Sequence, residues 1–361
     1  MKLFTVGPTE MYDEIKFVGG KQVPYFRTKE FSDVMLSIDC LLKKYLHTSR
    51  ESKIIYLTAS GTGAMEATVM NCLSNKDKIL IINGGTFGER FKKICDLYSL
   101  NSTEIRLGTN EALTETHLAR YDNCGFSVLL VNLHETSTGQ LYDIKMISKF
   151  CKKNNMYLIV DAISTFLCDE YHMDENDIDV TIISSQKGLC VAPGMSMVAI
   201  NSRILKERVM NNNVKSVYFD FNNYISNIER GQTPFTPAVG ICMQIYQALK
   251  MIDKLGLEIY LERIEKKAID FRARIGKLPL TIPKYPLSNA ITPIIFKKPI
   301  AMDIFKSLKN EYDMIVNPTG GVTRPRATAF WEWSAAKISR SSSRIRHPYF
   351  LPKVILYNVR H

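Results

Sequence analysis

The segment KIIYLTASGTGAMEATVMNCL, residues 53–73, reads as a strand that runs through small residues into a helix. After Lys53 its next five residues are apolar or β-branched with no alternation, the pattern of a strand covered on both faces. A helix directly behind a strand is half of a βαβ unit, the connection that parallel strands require. The pattern repeats along the chain. KILIIN (78–83) precedes FGERFKKICDLYSL, FSVLLVN (126–132) precedes LYDIKMISKFCKKN, and MYLIVDA (156–162) and DVTIIS (179–184) follow. An α/β fold is therefore expected, with a mostly parallel central sheet covered by helices.

Beyond about residue 236 the pattern turns helical in AVGICMQIYQALKMIDKLG and LEIYLERIEKKAIDFRARI. AITPIIF (290–296) then reads as a strand and AMDIFKSLKNEY (301–312) as a helix. The expected division is an N-terminal arm and large domain over 1–253, and a smaller C-terminal α+β domain over 254–361.

The chain has 361 residues, 45% of them hydrophobic, enough for a substantial core. No apolar run reaches the roughly 18 residues of a membrane helix, so a cytoplasmic protein with no membrane partner is expected. Eight cysteines are scattered without a C-x-x-C pair, and six histidines form no H-x-x-x-H pair, which leaves zinc sites and disulfide frameworks without support. Of the +11 net charge, +7 falls in residues 322–361. A nucleic-acid reading thus rests on that stretch alone, with RPR and SRSSSRIR as phosphate contacts and Trp331 and Trp333 as stacking groups. Nucleic acid is not the expected partner.

Ligands of open parallel sheets bind at the carboxyl ends of the strands, and five loops there carry chemistry. Ser60, Gly61 and Thr62 lie where a helix start can cradle a phosphate, or where glycine turns merely cap the helix. Phe87, between glycines in NGGTFGERF, can lie against a planar ligand or pack in the core. HETSTGQ (134–140) offers hydroxyls and a carboxylate, though such turns are also common as plain structure. Asp161 ends an apolar strand, where a carboxylate needs a cationic partner or caps a helix. Lys187, in TIISSQKGLC, is either a surface lysine or an amine nucleophile at a strand end of low dielectric. A cofactor with a phosphate, a flat ring, a ring nitrogen needing an acid and an aldehyde needing an amine would use all five. Pyridoxal 5'-phosphate is that cofactor.

With VGPTE, FRTKEF, SGTGAMEA, NGGTFGERF, HETSTG, VDAIS, SSQKGL, APG and PFTPAV, residues 1 to about 321 resemble the class V aminotransferases. These are fold-type I pyridoxal-phosphate enzymes such as the alanine:glyoxylate and 2-aminoethylphosphonate:pyruvate aminotransferases. The resemblance implies that Lys187 forms the Schiff base and later moves the α-proton, and that Asp161 pairs with the pyridine nitrogen. It implies Phe87 stacked on the ring, Thr136 at its 3-hydroxyl, and Ser60, Gly61, Thr62 and Gln186 around the phosphate. Thr236 and Thr233 would complete that cup from the partner subunit of a homodimer. A small amino donor would pass its amine to a 2-oxo acid of the pyruvate or glyoxylate type in a ping-pong cycle.

After Gly320 and Gly321 the family's R-x-G-H-like context for a substrate-binding arginine is missing, and residues 322–361 are atypical for the family. A frame change in that region or a divergent basic tail would each produce this. Arg324 and Arg326 stand as nominal carboxylate clamps, with Arg27 as a further cation near the entrance. On the same scaffold a lyase, a decarboxylase or a cysteine desulfurase is the alternative. A desulfurase would carry histidine at positions 87 and 186 and a cysteine beyond Cys242, and the chain has none of these.

Overall fold

The computed structural model describes residues 1–108, 110–278, 280–296, 300–318 and 353–358. Strands β1 (Lys2–Leu3), β2 (Lys53–Leu57), β3 (Lys78–Asn83), β4 (Asn101–Arg106), β5 (Val128–Asn132), β6 (His134–Glu135), β7 (Gln140–Leu141), β8 (Tyr157–Asp161), β9 (Val180–Ser184) and β10 (Ser196–Ile200) precede the helix pair, and β11 (Ile291–Phe296), β12 (Met314–Ile315), β13 (Asn317–Pro318) and β14 (Lys353–Asn358) follow it. The α-helices are α1 (Asp13–Gly19), α2 (Lys29–Leu46), α3 (Gly61–Cys72), α4 (Thr86–Leu97), α5 (Glu115–Ala119), α6 (Ile144–Lys153), α7 (Ser202–Glu207), α8 (Phe221–Ile228), α9 (Val239–Leu255), α10 (Leu257–Ile275) and α11 (Ala301–Tyr312).

Seven strands form the main sheet in the order β2-β10-β9-β8-β5-β3-β4. All its pairings are parallel except those of β10, which runs antiparallel to both β9 and β2. Successive side chains point to opposite faces, so each apolar run feeds two cores at once. Leu80 and Ile82 of β3, Leu129 and Val131 of β5 and Leu158 and Val160 of β8 join Met35, Leu42, Phe150 and Leu249 on one face. Ile79 and Ile81, Val128 and Leu130, and Ile159 join Met65, Val69, Phe91 and Phe221 on the other. This double covering is why the strands lack alternation in sequence.

The expected strands and the helix pair are present, with α10 and α11 over the expected residues. Gly256, with φ +90°, lets the chain turn between α9 and α10 where an L side chain would be strained. The sequence reading did not include the helices α1, α2, α5, α7 and α8, edge strand β4, the antiparallel β10 from SMVAI, or the short strands β1, β6, β7, β12 and β13. Nor did it include KVILYN, within the atypical 322–361 stretch. As β14 it pairs in parallel with β11 and β13, forming a three-stranded sheet. Val354 and Leu356 join Phe271, Ile294, Leu308 and Met314 in a third core, which also holds Phe4. Among the described residues, no helix is long and apolar enough to cross a membrane.

Candidate active site

Because β10 is the sole reversed strand of the main sheet, the carboxyl ends of β2, β3, β5, β8 and β9 share one edge, and the five loops meet there. After β9 the chain does not enter a helix. It folds back over residues 185–195 into β10, held by Ser185 N–H donating to Met195 O at 3.0 Å and the Ser185 hydroxyl donating to Ala192 O at 2.8 Å. Lys187 sits in this fold-back with its side chain buried, and its Nζ donates to Val6 O at 2.6 Å.

Asp161, 5% exposed, ends β8 beside β9, and its Oδ1 accepts the Ile163 N–H at 2.9 Å. Burial pushes its carboxyl up to about 6, although the Ile163 N–H and the positive charges of Lys187 and Arg90 pull the other way. Asp161 is a buried acid whose ionised form wants more positive charge than its surroundings supply.

Ser60 caps α3, its hydroxyl oxygen accepting the Gly63 N–H at 3.3 Å, so the positive end of the helix faces the same edge. A Cβ on Gly61 would overlap Ile163 Cδ1, which places this helix start against the loop that follows Asp161. Gln186 closes the edge from the other side, its Oε1 accepting from Ser184 Oγ at 2.6 Å.

Phe87 is half-buried at the start of α4. Its N–H and that of Gly88 donate to the Glu135 carboxylate at 3.3 and 3.1 Å. Glu135 is fully buried and also accepts from Asn132 Nδ2 at 2.9 Å, from the Ser137 N–H at 3.0 Å and from the Ser137 hydroxyl. Arg90, one turn on, lies 4.6 Å from the Phe87 ring centroid and donates from Nη1 to Thr62 Oγ1 at 2.9 Å. Thr136, buried, donates to Ser164 Oγ at 2.7 Å. Direct contacts thus link Thr62, Arg90, Phe87, Glu135 and, through residues 161–164, Asp161 and Gly61.

Five other expected residues lie outside this set of contacts or beyond description. Arg27 is exposed, with Nη1 donating to Gln232 Oε1 at 3.0 Å and to Thr233 O at 2.9 Å, and Nη2 to Pro234 O at 3.2 Å. Thr233 is buried, its hydroxyl donating to Phe235 O at 2.7 Å, whereas Thr236 is exposed. Their loop rests on the same chain just before α3, where Ala238 N–H donates to Thr58 Oγ1 at 2.9 Å. Arg324 and Arg326, like Trp331 and Trp333, lie outside the described residues. Sequence reasoning gave no role to Glu135, Arg90, Ser164 or Val6. A signal existed only for Glu135, the one acid in a hydroxyl-rich loop.

The fold has solved counterparts. It matches the aspartate aminotransferase of subgroup IV from Thermus thermophilus with a TM-score of 0.84 at 22% identity, over 96% of this chain and 100% of that one. In sequence the chain is 30% identical over 319 residues to the "soluble hydrogenase, small subunit" of Synechococcus sp. (strain PCC 6716), spanning 86% of this chain and 82% of that protein. It is 26% identical over 279 residues to the L-aspartate–glyoxylate aminotransferase of Paracoccus denitrificans, spanning 76% and 70%. The family Aminotransferase class-V matches residues 21–321. The chain belongs to the class V aminotransferases, and it is a pyridoxal 5'-phosphate-dependent transaminase acting on a small-molecule amino donor and an oxo acid.

Proposed function

We propose that Lys187 carries the cofactor and that the enzyme moves an amino group from a small amino acid to pyruvate or glyoxylate. The observation that bears most weight is the burial of an amine and a carboxyl, Lys187 and Asp161, after neighbouring parallel strands on the edge that also presents the start of α3. The residues fit the group. Ser60, Gly61, Thr62 and Gln186 would hold its phosphate, Phe87 its ring, Thr136 its 3-hydroxyl and Asp161 its ring nitrogen. When bound, pyridoxal phosphate supplies an electron sink that lets the donor's Cα–H ionise.

The chain's own residues do the rest. Asp161 would hold a proton on the ring nitrogen, and its buried carboxyl would gain there the positive charge that its own surroundings lack. Lys187 Nζ takes the donor's α-proton and returns it on the far side of the transfer. Arg27, already engaged by three oxygens, supports the 232–236 loop rather than an incoming carboxylate. Through that loop Thr233 and Thr236 would reach the partner's phosphate in a homodimer, and Arg324 or Arg326 would take the substrate carboxylate. All eight cysteines, as free thiols, support a reducing compartment, the cytoplasm. Residues 1–253 and 254–361 are the working domain division. The lyase, decarboxylase and desulfurase alternatives gain no observation of their own.

Borohydride reduction of the holoenzyme followed by peptide mapping tests the assignment. The label is expected on Lys187, and Lys187→Ala should lose both the label and the absorbance band. A label on another lysine overturns it. A panel of amino donors, followed by loss of that band, then identifies the donor.

A further inference from the structure

Residues 1–9 bridge the C-terminal core and Lys187. At one end Lys2 N–H donates to Asp313 O at 2.8 Å and Phe4 N–H to Ile315 O at 2.7 Å, so that β1 pairs with β12. Phe4 O accepts the Val354 N–H of β14 at 3.0 Å, and the Phe4 ring is buried in the C-terminal core. At the other end Thr9 N–H donates to Gln186 O at 3.2 Å and Thr9 Oγ1 donates to Lys187 O at 3.1 Å. Between them Val6 O accepts from Lys187 Nζ.

Gly7 makes this possible. Its φ is +140°, and a Cβ there would lie 2.8 Å from Cδ, Cε and Nζ of Lys187 at once. No side chain fits while the amine stays on the Val6 carbonyl. The two Thr9 bonds fix the register, because they hold the segment to the backbone carbonyls of Gln186 and of Lys187, whose side chain the segment receives. A carbonyl oxygen only accepts, so in this 2.6 Å contact the Lys187 amine is the donor.

We propose that residues 4–9 are a strap that seats the Lys187 amine on the Val6 carbonyl whenever that amine is not bonded to the cofactor. Val6 and Gly7 are then positioning residues for transamination, and Phe4 ties the seat to the C-terminal sheet. The proposal rests on Lys187 being the cofactor-bearing lysine. A seat for the displaced amine keeps it within reach of the proton it must move, where a free lysine would sample many rotamers. It also favours the displaced state, which gives a readout independent of turnover.

Methylamine is the probe. The holoenzyme is equilibrated with increasing methylamine, reduced with borohydride and mapped for label remaining on Lys187. In Gly7→Ala the label without methylamine should match wild type, while the methylamine concentration that halves it should rise at least fivefold. General loosening of the site would move this midpoint downward, so the sign separates seating from mere disturbance. Thr9→Val, which loses only the hydroxyl bond to Lys187 O, should raise the midpoint about twofold and serves if Gly7→Ala does not fold. An unchanged or lowered midpoint overturns the strap and leaves the Lys187 assignment intact. A wild-type label on another lysine overturns the assignment itself, and the strap with it.

Discussion

The buried carboxylate of Glu135 accepts the backbone N–H groups of both Phe87 and Gly88, so an acid in the short strand β6 fixes where α4 begins. The Phe87 ring is therefore placed by a residue 48 positions away. Charge-assisted bonds of this kind contribute roughly 1.5–3 kcal/mol, more than neutral ones.

Glu135→Gln keeps the shape and removes the charge, and its amide must turn two hydrogens toward groups that are themselves donors. Thermal denaturation should show a loss of roughly 2 kcal/mol, and spectral titration should show at least tenfold weaker cofactor binding. Wild-type affinity in this variant would mean that Phe87 is placed by something else.

Arg90→Met removes the cation over Phe87 and the bond to Thr62 while keeping a chain of similar length. Cofactor affinity is expected to fall roughly three- to tenfold, in line with about 0.5–2 kcal/mol for such contacts. Arg90→Lys should recover only part of it, since the planar stack and the fork are lost. Full recovery by lysine would show that charge alone matters.

Asp161 sets a pH dependence in the cofactor-free protein. Its carboxyl titrates near 6 when folded and near 3.8 when unfolded, so the folded chain holds the extra proton between those values. Stability should fall as pH rises from about 4 to about 6, by roughly 3 kcal/mol over that window. Asp161→Asn removes the penalty, so its apo form should melt above wild type at pH 7.5 and approach it near pH 4. In activity the same variant should be severely impaired. A lower melting temperature than wild type at pH 7.5 would show that Asp161 is not penalised by burial.

Gly188, directly after Lys187, admits no side chain, because a Cβ would overlap the backbone Phe166 O. At Gly61 the obstacle is Ile163 Cδ1, the end of a side chain that can turn. Gly188→Ala should therefore cost well over 1–3 kcal/mol in denaturant unfolding and Gly61→Ala clearly less. Equal costs would contradict this ranking.

The strands and their loops were legible because burial on both faces leaves unbroken apolar runs with small or polar residues at their ends. Strand β10 was not, since SMVAI follows a loop of small residues and its reversal depends on pairing with β9 and β2, which no local pattern encodes. KVILYN was hidden by the unusual composition around it. At the candidate site, Lys187, Asp161 and Phe87 stood out one by one as residue types at strand ends, whereas Thr136 entered only through the family resemblance. The roles of Glu135 and Arg90 are relations between loops, and Arg27 meets its partners 205 residues away, a distance no window spans.

The fold-back from β9 into β10 gives Lys187 a different mounting from the other site residues. Ser60 and Phe87 stand at the heads of helices, whose small slides would carry them along. Lys187 hangs between two strands bonded to each other in register over residues 180–184 and 196–200. Both anchors are local in sequence, so this hairpin closes a short loop and is suited to form early in folding. The lysine would then have its place before the distant strands and the C-terminal sheet assemble around it, and the loops that surround it would be built to fit an amine already in position.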